Sequence, residues 1–190
     1  PKGSLMDKIE QFNKLTMLDV RIFGKQILDA LDYCHSKSIA HRDLKPSNIM
    51  VDEYARAKLA DFGLSSFVRE NAQTHQCGSL PYAAPEMFTE STYDYYRADI
   101  YSFGATLFQM ATGEYFDGEE SSFEGIYDAE LVEVVKLMLD PDPSKRPTTK
   151  ELQNYKFFTE ETPQRMFPRR RITSVSSGTS NVNLLGNSAP

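Results

Sequence analysis

Residues 41–48, "HRDLKPSN", set a carboxylate, Asp43, between two cations, Arg42 and Lys45, and place an amide, Asn48, five residues beyond the acid. Thirteen residues after that amide stands a second acid, Asp61, directly before Phe62 and Gly63. An acid flanked by cations suits chemistry on an anionic group. Taken alone, the loop reads first as a solvated surface cluster of charge. The elements around it decide whether it is more than that.

Between Asn48 and Asp61 lie two short apolar runs, "IMV" at 49–51 and "AKLADF" at 57–62, separated by the polar turn "DEYAR". That pattern predicts a small β-hairpin. Asn48 would start one strand and Asp61 would end the other, so the hairpin would bring the two residues together. Upstream, Ser4 and Asp7 form a capping pattern ahead of Leu5, Ile9 and Phe12. Thr16 and Asp19 repeat it ahead of Val20, Phe23, Ile27, Leu31 and Cys34, which predicts a second helix running to about Ser36. Downstream, the sequence is irregular from 63 to about 97. A buried helix is expected over 98–112 with Gly113 as its stop, another over 128–140 ended by Pro141, and a last one from Thr148 with Glu151 completing a capping box.

With 190 residues and 40% hydrophobic content, the chain can build one core and bury roughly 70% of its unfolded surface. From Pro163 there are four arginines and no acid, so the chain's formal charge of −6 puts −10 on residues 1–162. An acidic body argues against nucleic acid as a partner. Two cysteines, Cys34 and Cys77, are too few for a disulfide framework, and a reducing, cytoplasmic setting is expected. The apolar stretch at 100–113 is too short for a membrane span. Residues 1–162 form the expected domain and 163–190, rich in Ser, Thr and Arg, an expected disordered tail.

"HRDLKPSN", "DFG" at 61–63, "APE" at 84–86, "RADIYSFG" at 97–104 and "DPDPSKRP" at 140–147 stand in one order along the chain. Together they resemble the C-terminal lobe of eukaryotic protein kinases over roughly residues 1–158. The run "CGSLPYAAPE" at 77–86 is most similar to the calmodulin-dependent and AMP-activated group. The resemblance implies a mainly α lobe whose small β-hairpin carries the catalytic and DFG loops, with ATP and Mg²⁺ as cofactors and a protein as substrate. It implies that Asp43 orients the substrate hydroxyl, that Lys45 neutralises the transferring phosphoryl group, and that Asn48 and Asp61 hold Mg²⁺. Leu5 and Met50 would form the lower wall of the adenine pocket. Ser79 would bridge Asp43 and Lys45, Asp99 would fix the catalytic-loop backbone, and Glu86 would pair with Arg146 in a buried structural ion pair. His41 and Phe62 would pack in the core beside Gly63. Arg42 would face the activation segment, where Thr74 is the nearest candidate phosphosite. The Lys45-Pro46 pair and Ser79 imply serine/threonine specificity.

The chain departs from the family pattern in several places. It contains neither a Gly-rich G-x-G-x-x-G-x-V loop nor a V-A-I-K lysine. The N-terminal lobe that carries them is therefore expected upstream in the native polypeptide, and the isolated chain is expected to be inactive. Ser4 and Ser47 replace acids that select arginine on substrates, leaving Asp7 as the nearby acid. "RRRITS" at 169–174 looks like a substrate of another, basophilic kinase at Thr173 or Ser174, with an unmodified, solvated linker as the equal alternative. Gly113 and Arg146 are 33 residues apart, which implies a shortened segment between them. The competing reading is a truncated, inactive kinase-like scaffold. Retention of Asp43, Lys45, Asn48 and Asp61 favours the enzyme, because a scaffold has no physical need for a metal-binding pair.

Overall fold

The computed structural model describes residues 3–67 and 78–159. Its first helix, α1 (Leu5–Phe12), starts at a complete capping box: Asp7 N–H donates to Ser4 Oγ at 3.2 Å and Ser4 N–H to Asp7 Oδ2 at 2.7 Å. Thr16 caps α2 (Met17–Ser36), which buries Val20, Phe23, Ile27, Leu28 and Leu31 along one stripe. α2 follows the expected spacing because apolar residues three and four apart share a face, whereas in α1 Leu5 and Ile9 are buried and Phe12, at its end, is 60% exposed.

Strand β1 (Ile39–Ala40) leads into the 41–48 loop, which closes in a 3₁₀ turn at Pro46–Asn48. The hairpin consists of β2 (Ile49–Val51) and β3 (Ala57–Leu59), antiparallel with Ile49 opposite Leu59 and Val51 opposite Ala57. The second strand is shorter than "AKLADF" suggests. Asp61 adopts φ 58°, ψ 68°, outside the strand region, and Phe62–Leu64 turn into a 3₁₀ segment. β4 (Ser66–Phe67) then returns to pair antiparallel with β1.

The region from 78 to 97 carries more structure than its lack of periodicity suggests. A 3₁₀ turn at Leu80–Tyr82 and the short α3 (Glu86–Thr89) precede α4 (Tyr95–Thr112). α4 begins three residues earlier than expected because Asp94 accepts from the backbone of Tyr96 and Arg97. It is buried along nearly its whole length and forms the centre of the molecule, against α2 and α5 (Ala129–Met138). Gly104 permits the close α4–α5 approach: a Cβ there would stand 2.9 Å from Met138 Cβ. The last expected helix is divided into α6 (Thr149–Leu152) and α7 (Lys156–Thr159). One apolar cluster joins Leu5, Phe23, Leu31, Leu44, Phe103, Leu107, Val134 and Phe157. No helix among the described residues is long and apolar enough to cross a membrane.

Candidate active site

Asp99, on α4 and 1% exposed, shapes the 41–48 loop from beneath. Its Oδ2 accepts from His41 N–H at 2.8 Å and its Oδ1 from Arg42 N–H at 2.7 Å. Arg42 has φ 68°, a left-handed conformation that costs a non-glycine residue about 1–3 kcal/mol. Two charge-assisted bonds to one buried carboxylate offset that strain. His35, at the end of α2, adds a third contact, Nε2 to Asp99 Oδ2 at 2.9 Å. The His41 ring, fully buried, receives Asp43 N–H on Nδ1 at 3.3 Å, so Nε2 is the donor to Ala60 O at 3.0 Å. That ring ties the loop to the residue before Asp61.

Asp43 thereby sits 9% exposed with both carboxylate oxygens engaged. Oδ2 meets Lys45 Nζ at 2.7 Å and Asn48 Nδ2 at 2.9 Å, while Oδ1 accepts from Ser79 Oγ at 3.0 Å. Lys45 Nζ also donates to Ser79 Oγ at 2.6 Å. The hydroxyl of Ser79 therefore bridges the cation and the acid from 36 residues away in sequence.

Asn48 Nδ2 donates to both the backbone oxygen and the side chain of Asp43, at 2.9 Å each, which leaves its Oδ1 to face other ligands. Ala60 N–H donates to Asn48 O at 2.9 Å across the hairpin, so Asp61 directly follows the residue locked opposite Asn48. The Asp61 carboxylate is exposed and accepts only a 3.3 Å bond from Gly63 N–H among the described residues. These are two hard oxygen donors, and no group of three acids, histidines or cysteines suited to a metal exists among the described residues. Such a set fits Mg²⁺, which keeps waters and takes one or two protein oxygens together with substrate phosphates. It does not fit a protein-only cage.

Beside the loop, Arg146 and Glu86 form a bidentate pair, Nη1 to Oε1 at 2.6 Å and Nη2 to Oε2 at 2.8 Å, 1% and 3% exposed. The remaining guanidinium donors reach Asp140 O, Arg97 O and Pro141 O. Its plane lies 5.0 Å from the Tyr101 ring.

The family model for the protein kinase domain matches residues 1–158. The chain belongs to the protein kinase family. It is 31% identical over 196 residues to CBL-interacting protein kinase 8 of Oryza sativa subsp. japonica, covering 95% of this chain and 43% of that protein. It is 31% identical over 186 residues to CBL-interacting serine/threonine-protein kinase 3 of Arabidopsis thaliana, covering 88% and 42%. A probable serine/threonine-protein kinase of Dictyostelium discoideum is 35% identical over 170 residues, covering 82% and 20%. The chain thus spans less than half the length of these curated relatives.

Two expectations for this kinase chain are corrected by the geometry. Leu5 is wholly buried in the main apolar cluster and has no surface to offer an adenine ring. It anchors α1 instead, whereas Met50, half-buried and bridged to Ser4, keeps part of its side chain accessible. Phe62 is 43% exposed, not a core residue. One face of its ring meets His41 at 4.9 Å between centroids, and the rest stands open because the 3₁₀ turn carries it outside the main cluster. Thr74, Cys77 and the tail lie outside the described residues.

Sequence reasoning missed His35 and Tyr95. The ring of Tyr95 lies 4.7 Å under the Arg42 guanidinium, a cation–π contact. No local spacing marks either residue, since each acts on a partner more than 50 positions away.

Proposed function

We infer that this chain is the larger lobe of an ATP-dependent serine/threonine protein kinase, working with an N-terminal lobe that supplies the Gly-rich loop and the nucleotide-anchoring lysine. The observation that carries the reading is the triangle of Asp43, Lys45 and Ser79, with contacts of 2.6–3.0 Å. Bound Mg²⁺-ATP supplies the transferable γ-phosphoryl group and the screening of its charge.

The chain's own residues do the positioning. Asp43 Oδ orients the substrate hydroxyl in line and takes its proton. Lys45, already fixed beside that carboxylate, is placed to neutralise the anionic group under attack. Ser79 holds the two in register, which couples the catalytic loop to the segment that a protein substrate would approach. Asn48 and Asp61 are the residues that would hold the metal. Serine/threonine specificity is supported by the Lys45-Pro46 pair, by Ser79 and by the names of two of the relatives. The retained metal pair argues against a purely scaffolding role.

The 190 residues include only one wall of a nucleotide site, and ligand pockets bury 70–90% of a drug-sized molecule. The isolated chain is therefore expected to bind Mg²⁺-ATP negligibly, and calorimetry that found micromolar, saturable binding would refute this division of labour. The reading as a whole is tested by γ-phosphate transfer from labelled ATP within the native polypeptide. Incorporation into serine or threonine peptides is expected, and incorporation into tyrosine alone, or none, would overturn it.

A further inference from the structure

A groove that shares no lining residue with the 41–48 loop, Asp61 or Ser79 lies between α5 and the 3₁₀ turn at Glu120–Phe123, with a volume of about 640 Å³. Its apolar lining includes Phe123, Ile126 and Val132, and Tyr127 beside them is 98% exposed. Three acids, Glu120, Glu124 and Glu133, also line it. Lys136 pairs with Glu120, and among the described residues the Glu124 and Glu133 side chains make no hydrogen bond or ion pair. The groove thus offers an apolar strip edged with uncompensated negative charge.

We propose that this groove docks the chain's own segment 165–172, "RMFPRRRI". Charge and composition point to it. The segment holds all four arginines of a stretch that has no acid from Pro163 to the end, and Met166, Phe167 and Ile172 stand among those cations. An apolar strip with acidic edges is the complement of that pattern.

Connectivity points the same way. α7 packs against α5 and Lys156 pairs with Glu130, so the chain leaves Thr159 beside the helix that forms one wall of the groove. At about 100° per residue, Glu130 and the groove-lining positions 129, 132, 133 and 136 of α5 differ by roughly a third of a turn. The six residues from 160 to 165 can reach ~20 Å when extended, enough to round a helix ~10 Å across. Docking in cis also gains from a high effective concentration set by this short connection.

The test places a benzoylphenylalanine photo-crosslinker at Phe167 in the full 190-residue chain and maps the products by mass spectrometry. Crosslinks within one chain to residues 120–136 are expected. Glu124→Lys with Glu133→Lys should lower their yield roughly tenfold, and adding Arg169→Glu with Arg171→Glu should restore it. Crosslinks to other surfaces, crosslinks only between chains, or a yield indifferent to the charge reversal would each overturn the proposal.

Discussion

At the scale of single residues, the chain concentrates its buried charge where a fixed geometry is needed. Arg146 satisfies its guanidinium with a bidentate Glu86 and three backbone oxygens. Removing one member of such a buried pair leaves the other unpaired, at a cost of about 3–5 kcal/mol. Glu86→Ala or Arg146→Ala should lower the urea-unfolding free energy by that amount, whereas a loss under about 1 kcal/mol would mean that water reaches the pair. Ser79 has a different role, since Lys45 and Asp43 stay in contact without it. Ser79→Ala should therefore leave the fold intact and cut kcat by roughly tenfold, the worth of about one well-aligned hydrogen bond. Asp43, Lys45, Asn48 and Asp61 stand out in the sequence because they fall within one 21-residue stretch, 41–61. His35 does not, because its partner Asp99 lies 64 residues away and nothing local marks the pairing.

Among the elements, ends were easier to read than interiors. The capping boxes at Ser4 and Thr148 and the stop at Gly113 emerge where side-chain chemistry requires them. The 78–97 region was unreadable by periodicity, since its short turns are held by contacts with α4 and the 41–48 loop, such as Ser102 Oγ donating to Tyr82 O at 2.8 Å. Gly113 has φ 86°, and a Cβ there would fall 2.1 Å from Asn13 O. Gly113→Ala should thus destabilise by more than the ~1 kcal/mol of a left-handed alanine alone, read as a lower midpoint in urea.

The caps also set an acid limit. Glu151 is held below its ordinary 4.5 by the Thr148 N–H and hydroxyl, Asp7 below 3.8 by Ser4, and Glu130 below 4.5 by Lys156 and Arg21. A depressed carboxylate gives stability that is complete above the unfolded value and is lost as pH falls through the folded one. The melting temperature should be insensitive to these groups above about pH 5 and should fall below about pH 4. Glu151→Gln, which can keep the box without titrating, should flatten part of that slope; an unchanged slope would exclude the cap as a cause.

Across the whole molecule, a helical body with α4 at its centre presents one loop and one hairpin on the same side. The division was readable from the order of the five motifs, because a buried helix such as α4 supplies Asp99 from within the core to shape the loop above it. The side-chain directions of Leu5 and Phe62 were not readable, because the neighbours that bury one and expose the other come from distant parts of the chain. We propose Asp43 as the acid around which phosphoryl transfer is organised. That role is tested most directly by the kinetics of Asp43→Asn in the native polypeptide, with folding checked by circular dichroism. The account predicts that kcat falls by at least ~10²-fold while KM for ATP changes little. A variant that keeps the wild-type kcat would contradict it.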